Sequence, residues 1–414
     1  MINKLYTPAR CLMSIAAVFS TLYAAGSPVR HFPIKKDYAD TAVLDSSHQK
    51  DMIDVLQKLF DKSTTPQTRK HAKPINISVI PTVGYTLSTG FAIGLSSVTT
   101  FHTQADHALN TSVVNAQAFY DSHNQETFFT QANIWAAHDQ LKFVTDLRWV
   151  KYPDVTYGLG SLTTINRADP IDYDYLRFYQ TVLKKVLPNF YAGMGYNLDY
   201  HYDIVDLNPT SGGSAFKRYG ESSSSRSSGL NYDLLFDSRQ NPVNSLQGLY
   251  ANAVYRYNYK FLGSDVAWSS LVVDVRKYIR LSSHSNNILA IWSYNWITLS
   301  GRQPYLDLPS VGADMYNNTG RGYAIDRYRG KNMIYLESEY RFGLTKNGLL
   351  GGVIFANAGN YSRTVNANLQ DIIPAAGTGL RVKINKHSNT NLCIDYGVGV
   401  NSSRGFFVNL GEVF

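Results

Sequence analysis

Apolar and polar residues alternate with a period of two through most of the chain from Pro74 to Phe414, a pattern that gives an extended strand one chemical character on each face. Between Leu141 and Trp149, the residues Leu141, Phe143, Leu147 and Trp149 share one face, while Lys142, Asp146 and Arg148 share the other. In the same way Leu249, Ala251, Ala253, Tyr255, Tyr257 and Tyr259 oppose Asn252, Arg256, Asn258 and Lys260. Ile334, Leu336, Tyr340 and Phe342 oppose Glu337, Glu339 and Arg341. A soluble sandwich would bury such apolar faces, whereas a membrane barrel turns them to lipid and keeps the charges in its lumen. Counting gives about sixteen such segments, an even number that closes a barrel with both ends on one side of the membrane.

Three further features favour the barrel. The connections alternate in length for most of the chain: those around Asp139, Ser238 to Ser245, Thr345 to Gly348 and His387 to Asn391 are compact. Pro153 to Pro170, Val205 to Arg226 and Gly301 to Gly330 are long, and the Ser-rich stretch from Glu221 to Ser228 reads as a mobile loop. With 30 Tyr and 19 Phe but only 17% charged residues, the composition suits interfacial aromatic girdles. No apolar run outside the first residues approaches the roughly 20 needed for a spanning helix. The expected fold is therefore an all-β transmembrane antiparallel barrel of about 16 strands over residues 74–414.

Lys4 and Arg10 precede an apolar run from Leu12 to Ala25 with small residues Ala24 and Gly26 after it, which reads as a cleaved signal peptide over 1–26. Cys11 lacks the context of a lipoprotein anchor, and its removal would leave Cys393 with no disulfide partner. Residues 27–73 read as a short periplasmic segment. In it Met52, Val55, Leu56, Leu59 and Phe60 share one helical face, with Asp51, Asp54, Lys58 and Asp61 around the other. That helix would pack on the barrel mouth or meet a periplasmic partner. The net charge of +8 is spread as single Lys and Arg residues with no basic run among stacking aromatics, so nucleic acid is not an expected partner. At the other end Phe406, Val408 and Leu410 alternate towards Phe414, as in the signal by which outer-membrane barrels are recognised for insertion, with Glu412 interrupting the apolar face.

No hydrolase elbow, zinc-binding His-Glu helix, phosphate-cradling Gly loop or paired Cys set occurs, so neither a catalytic residue, a metal nor a cofactor is expected. His201 and His387 have Ser, Asn or Asp neighbours that could form a nucleophile–base pair, but the plainer reading is a pair of solvated histidines.

One constellation does stand out. Gly320, Arg321, Gly322 and Tyr323, followed by Arg327, Tyr328 and Arg329, lie in the long loop before the twelfth predicted strand. This resembles the Arg-Gly-aromatic loop motif of the BamA/TamA superfamily, also described as the bacterial surface antigen family. Gly351 through Phe355, Asn357 and Gly359 is similar to that family's next strand motif. Gly377, Gly379, Leu380 and Arg381 with Asp395, Tyr396 and Gly397 resemble its penultimate strands, and Phe236, Asp237, Arg239, Pro242 and Gly248 resemble its Asp-x-Arg turn. Fewer than about fifty residues separate the signal from the barrel, too few for the family's periplasmic POTRA modules, and Asn357 stands where the family has Asp.

The resemblance implies a role in outer-membrane protein or lipid assembly through a weak seam between the first and last strands, marked by Pro81 and Gly84 on one side and Gly405 and Gly411 on the other. Expected partners are outer-membrane lipid and lipopolysaccharide, the barrel assembly machinery during insertion, and a periplasmic protein. A solute diffusion channel and a structural surface antigen are the alternatives. Arg321 is expected to fold into the lumen against Glu337 and Glu339, near Phe355, Asn357 and Gly359, with Glu339 carrying most of the attachment. An Asp at position 357 is expected to tighten it.

Overall fold

The computed structural model describes residues 49–55, 75–86, 90–104, 109–122, 124–207, 214–219, 223–282, 285–364 and 371–414. The expected signal peptide, most of the periplasmic segment, and Leu56, Leu59 and Phe60 of the expected helix lie outside them. Sixteen antiparallel strands form one sheet: β1 (Ile75–Thr86), β2 (Gly90–Phe101), β3 (Ser112–Asp121), β4 (Glu126–Ala136), β5 (Leu141–Thr156), β6 (Asp169–Leu187), β7 (Phe190–Asp206) and β8 (Ser225–Asp237). They continue with β9 (Gly248–Asn258), β10 (Trp268–Arg280), β11 (Ile288–Gly301), β12 (Asn332–Gly343), β13 (Leu350–Ser362), β14 (Ile373–Asn385), β15 (Thr390–Gly399) and β16 (Arg404–Leu410). Each strand pairs only with its neighbours in chain order. β1 and β16 lie beside each other, yet no hydrogen-bonded ladder joins them among the described residues. No described helix is long and apolar enough to cross a membrane.

Burial is inverted relative to a soluble protein. Lys142, Asp146 and Arg148 of β5 are buried while Trp149 is exposed, and Glu337, Glu339 and Arg341 of β12 are buried while Leu336 is exposed. Val182, Met194, Leu234, Ile354 and Leu380 are likewise exposed. The period-two pattern thus has its lipid and lumen faces as a barrel requires.

Two loop expectations need correction. Pro153 lies inside β5 opposite Asp172, because β5 and β6 run well past the ~10 residues that span a bilayer. Ser225 to Ser228 open β8 instead of forming a mobile loop, with Ser227 and Ser228 buried. The longest connection, residues 302–331, turns inward. Arg148 on the β5 wall holds it, donating from Nη1 to the Asn317 side chain and from Nη2 to the Met315 carbonyl, both at 2.7 Å. At the end of the barrel that carries the short turns the β8–β9 turn meets the β14–β15 turn, Asn241 donating to the Ser388 carbonyl at 3.2 Å.

Residues 52–55 form a helical turn opened by reciprocal bonds, from the Asp54 amide to the Asp51 side chain and from the Asp51 amide to the Asp54 side chain. Lys386 of the β14–β15 turn ties it down, its amide donating to Asp51 and its ammonium to Asp54 at 2.7 Å. Burial raises the Asp54 carboxyl, but the bonds to Lys386 and the Asp51 backbone outweigh burial and hold it below its ordinary 3.8. A carboxylate depressed in the folded state contributes fully above that ordinary value and loses its contribution as pH falls through the lowered one. Hydrogen exchange at residues 51–55 should therefore stay slow down to about pH 4 and quicken below it, and Lys386→Ala should quicken it at neutral pH.

Candidate functional site

The inward loop reaches the wall through Gly320, Arg321, Gly322 and Tyr323. Gly320 and Gly322 have φ of 86° and 110°, a region that a side chain disfavours, and the Tyr323 amide closes the turn onto the Gly320 carbonyl at 3.0 Å. The turn lies directly on β15, where a Cβ on Gly397 would come within 2.8 Å of the Gly322 nitrogen. Tyr323 then anchors the far side: its hydroxyl donates to the Pro374 carbonyl at 2.5 Å and accepts from the Val400 amide at 3.0 Å.

Arg321 is buried, its guanidinium carbon 3.8 Å from the centroid of the Phe355 ring. Its Nη1 meets Asp395 at 2.5 Å, while Nη2 meets Glu339 at 2.5 Å and also Glu337. Glu339 bonds Arg341 with its other oxygen. Arg341 lies 3.7 Å from Glu412, Glu412 accepts from Arg381 at 2.9 Å, and Arg381 returns to Asp395 at 2.5 Å. The pairs close into a ring, Arg321–Glu339–Arg341–Glu412–Arg381–Asp395, with Glu337 attached to Arg321 and to the Tyr335 hydroxyl. All of it is buried, where removing one partner of an ion pair costs about 3–5 kcal/mol. Three guanidinium groups face four carboxylates, so each arginine is shared and none can leave without stranding negative charge.

The ring joins elements far apart in the chain: the loop, β12, β14, β15 and the residues after β16. Those last residues depart from the expected outward alternation. Phe406 is exposed on β16 with its ring 5.0 Å from Tyr396, and Val408 lies opposite Ile394. Leu410 packs with Val98, Val113 and Val243. Gly411, at φ of 94°, then turns the chain into the lumen, and Phe414 is buried with its ring 5.1 Å from Trp292 and its carbonyl accepting from Arg341 at 2.8 Å. The reason is Glu412: a carboxylate costs free energy against lipid, whereas Arg341 and Arg381 receive it inside. The tail also touches the loop, since the Asn318 side chain donates to the Val413 carbonyl at 2.7 Å.

Other predicted residues fall as follows. Asn357 faces the lumen as its phase predicts, but its amide donates to the Arg321 backbone carbonyl at 2.9 Å instead of offering an oxygen to the guanidinium. Attachment is shared by Glu337, Glu339 and Asp395 and does not rest mainly on Glu339. Gly359 is buried on the same face of β13. Pro81 lies opposite Leu95 and Gly84 opposite Ala92 on β1, and Gly405 lies opposite Gly397 on β16, so these three flank the unladdered edge. Gly411 is not in β16 but at the inward turn. His201 stacks on Tyr175 at 4.2 Å with Nδ1 3.5 Å from Asp307, and Ser227 bonds the other oxygen of that carboxylate at 2.5 Å. His387 lies in the β14–β15 turn, its amide on Asn385. Neither histidine contacts a serine hydroxyl among the described residues. The roles of Asp395, Arg381 and Glu412 were missed, because the readable signal for lumen ion pairs, an acid two residues before an arginine on one strand face as in Asp146 and Arg148, Asp274 and Arg276, or Glu339 and Arg341, does not mark these three.

Residues 80–411 match the Omp85 superfamily domain. Among solved structures the chain is similar to BamA from Haemophilus ducreyi lacking POTRA domains 1-3, with a TM-score of 0.51 at 15% identity over 82% of this chain and 69% of that one. It is also similar to CdiB from Acinetobacter baumannii, with a TM-score of 0.51 at 12% identity over 82% of this chain and 60% of that one. CdiB from Escherichia coli gives 0.50 at 11%, over 82% and 62%. The chain thus spans less than two thirds of either CdiB chain. No curated protein matches the chain in sequence.

Arg321→Ala should leave Glu337 with no cation and take one of two from Glu339 and Asp395, destabilising the loop by about 3–5 kcal/mol, so that trypsin cuts at Arg327 or Arg329 in membranes while the barrel keeps its heat-shifted electrophoretic mobility. Asp395→Asn should act in the same direction. Asn357→Asp, expected from sequence to tighten the loop, should loosen it, because a carboxylate would replace the amide donor against the Arg321 carbonyl and add a fifth negative group. Equal proteolysis of wild type and Arg321→Ala would refute the lock.

Proposed function

The chain belongs to the Omp85 superfamily and is an outer-membrane β-barrel, and from that premise we propose that it assists outer-membrane protein or lipid assembly by opening the seam between β1 and β16. The observation that carries this reading is the seam itself. Every other pair of neighbouring strands is laddered, and β16 has seven residues where a spanning strand needs about 9–11. An edge held by few backbone bonds opens at low cost and offers unpaired groups to an incoming strand. Pro81 and Gly84 on β1 and Gly405 on β16 weaken pairing there. The ring of ion pairs supplies the hinge on which β16 is held, since Glu412 follows β16 directly and shares Arg341 and Arg381 with the carboxylates that fix the loop.

In this reading residues 1–26 are a cleaved signal peptide, 27–73 a periplasmic segment and 74–414 the barrel. The helical turn on Lys386 presents that segment at the periplasmic mouth, where a periplasmic protein partner would dock. Lipid and lipopolysaccharide surround the wall, and the barrel assembly machinery inserts it. The inward loop and tail weigh against a diffusion channel: residues of the loop line both of two cavities, of about 270 and 160 Å³, and residues of the tail line the first.

A disulfide engineered between one cysteine on β1 and one on β16 tests the reading. It should form in membranes, because the two strands are neighbours, and it should reduce the outer-membrane content of the chain's clients in a strain that depends on it, with recovery on reduction. A crosslinked protein of full activity would sink the seam mechanism.

A further inference from the structure

Towards the periplasmic end, the lumen holds a cation that the ring does not use. Lys142 is buried near the start of β5, with its ammonium 4.7 Å from the centroid of the Trp135 ring and no protein hydrogen bond or ion pair among the described residues. It lines the cavity of about 270 Å³. Asp237 and Asp233 are the carboxylates whose charge acts on it, yet neither bonds it among the described residues, and an ammonium withdrawn from bulk water without a bonded partner is costly.

Two half-used guanidinium groups line the same cavity. Arg239 gives Nε and Nη2 to Asp237, both at 2.9 Å, and Arg276 gives Nε and Nη2 to Asp274 at 3.0 and 2.7 Å. Each two-point pair occupies its carboxylate and leaves Nη1 of that arginine without a protein partner among the described residues. The two groups flank one ring, their guanidinium carbons 4.3 and 5.3 Å from the centroid of Tyr250, and Tyr250 itself packs on the cluster that contains Trp135. Among the described residues, Asp233 is the one carboxylate lining this cavity that makes no ion pair, though the charge of Lys142 acts on it, and it accepts from Asn252.

We propose that this cavity binds a phosphate group, free or as the monoester of a lipid, with Lys142, Arg239 and Arg276 each directing an N–H to a different oxygen. Three cationic donors match the three terminal oxygens of a phosphate monoester, whereas a carboxylate offers two. The cavity is larger than the phosphate group, and Val113, Val144 and Trp135 give the remaining space an apolar side for whatever the phosphate is attached to. Asp233 opposes the anion and keeps its affinity moderate. The site lies in the lumen, with Asn409 and Leu410 of β16 and the tail that follows on its wall, and because its three cations come from β5, the β8–β9 turn and β10 it does not depend on the assembly reading.

Isothermal titration of the purified full chain in a phosphate-free maltoside detergent decides it, with inorganic phosphate and dihexanoyl phosphatidic acid as the two probes. Saturable one-to-one binding of at least one probe is expected. Binding of inorganic phosphate identifies a free-phosphate site, and binding of the lipid alone identifies a lipid site. Lys142→Gln should weaken binding about tenfold or more, the scale of one charge-assisted bond, while Asp233→Asn should strengthen it. No saturable binding of either probe would overturn the proposal, as would equal affinity in a Lys142→Gln barrel whose heat-shifted mobility shows it to be folded. Should Lys142→Gln fail to fold, Asp233→Asn decides alone, and unchanged affinity there overturns the site.

Discussion

Lipid against the outer wall leaves a charged side chain only one direction in which to point, and the rest of this barrel follows from that restriction. Charges collect in the lumen, where they meet little water and must find one another. Because strand residues two apart share a face, the shortest solution is an acid followed two residues later by an arginine. Asp146 with Arg148, Asp237 with Arg239, Asp274 with Arg276 and Glu339 with Arg341 all take it. Three of these pairs lie within one strand, and that of Asp237 with Arg239 runs from the last residue of β8 into the turn that follows.

The ring around Arg321 is a different solution. Its members come from a loop, three strands and the tail beyond β16, so it cannot form until the barrel has closed around the loop. Once formed it links the position of the loop to that of the last strand, since Glu339 and Asp395 each serve one arginine that holds the loop and one that holds Glu412. A displacement at either end strands charge at the other. The hydrogen bond from Asn318 to Val413 adds a direct contact between the two. Among the described residues no ladder joins the two strands of the seam, and β16 is instead restrained from inside the lumen.

The departure at position 357 fits that arrangement. With Glu337, Glu339 and Asp395 already on the guanidinium, a further carboxylate is not needed, and Asn357 serves the loop backbone through its amide. The same distribution of charge explains the tail. Glu412 breaks the apolar face of the last strand, and its charge turns Gly411 to Phe414 inward to Arg341 and Arg381.

The alternation of residues by itself gave the strands, their number of about sixteen and which side chains share a face, because a period of two is a local property, while the alternating loop lengths, the aromatic-rich composition and the lack of an apolar run long enough for a spanning helix favoured a barrel over a sandwich. The same alternation put Glu337, Glu339 and Asn357 on the inward faces of their strands, whereas the inward course of the loop that carries Arg321 was implied by the resemblance of its motif to the BamA/TamA superfamily. Alternation could not pair them. Which carboxylate meets which arginine depends on strand register, on the inward path of residues 302–331 and on the turn at Gly411, and these bring positions as distant as Arg321 and Asp395 within bonding range. The sequence records the charges that must be neutralised. Only the closed barrel decides the partners, because electrostatic energy depends on separation in space and the chain carries no local trace of it.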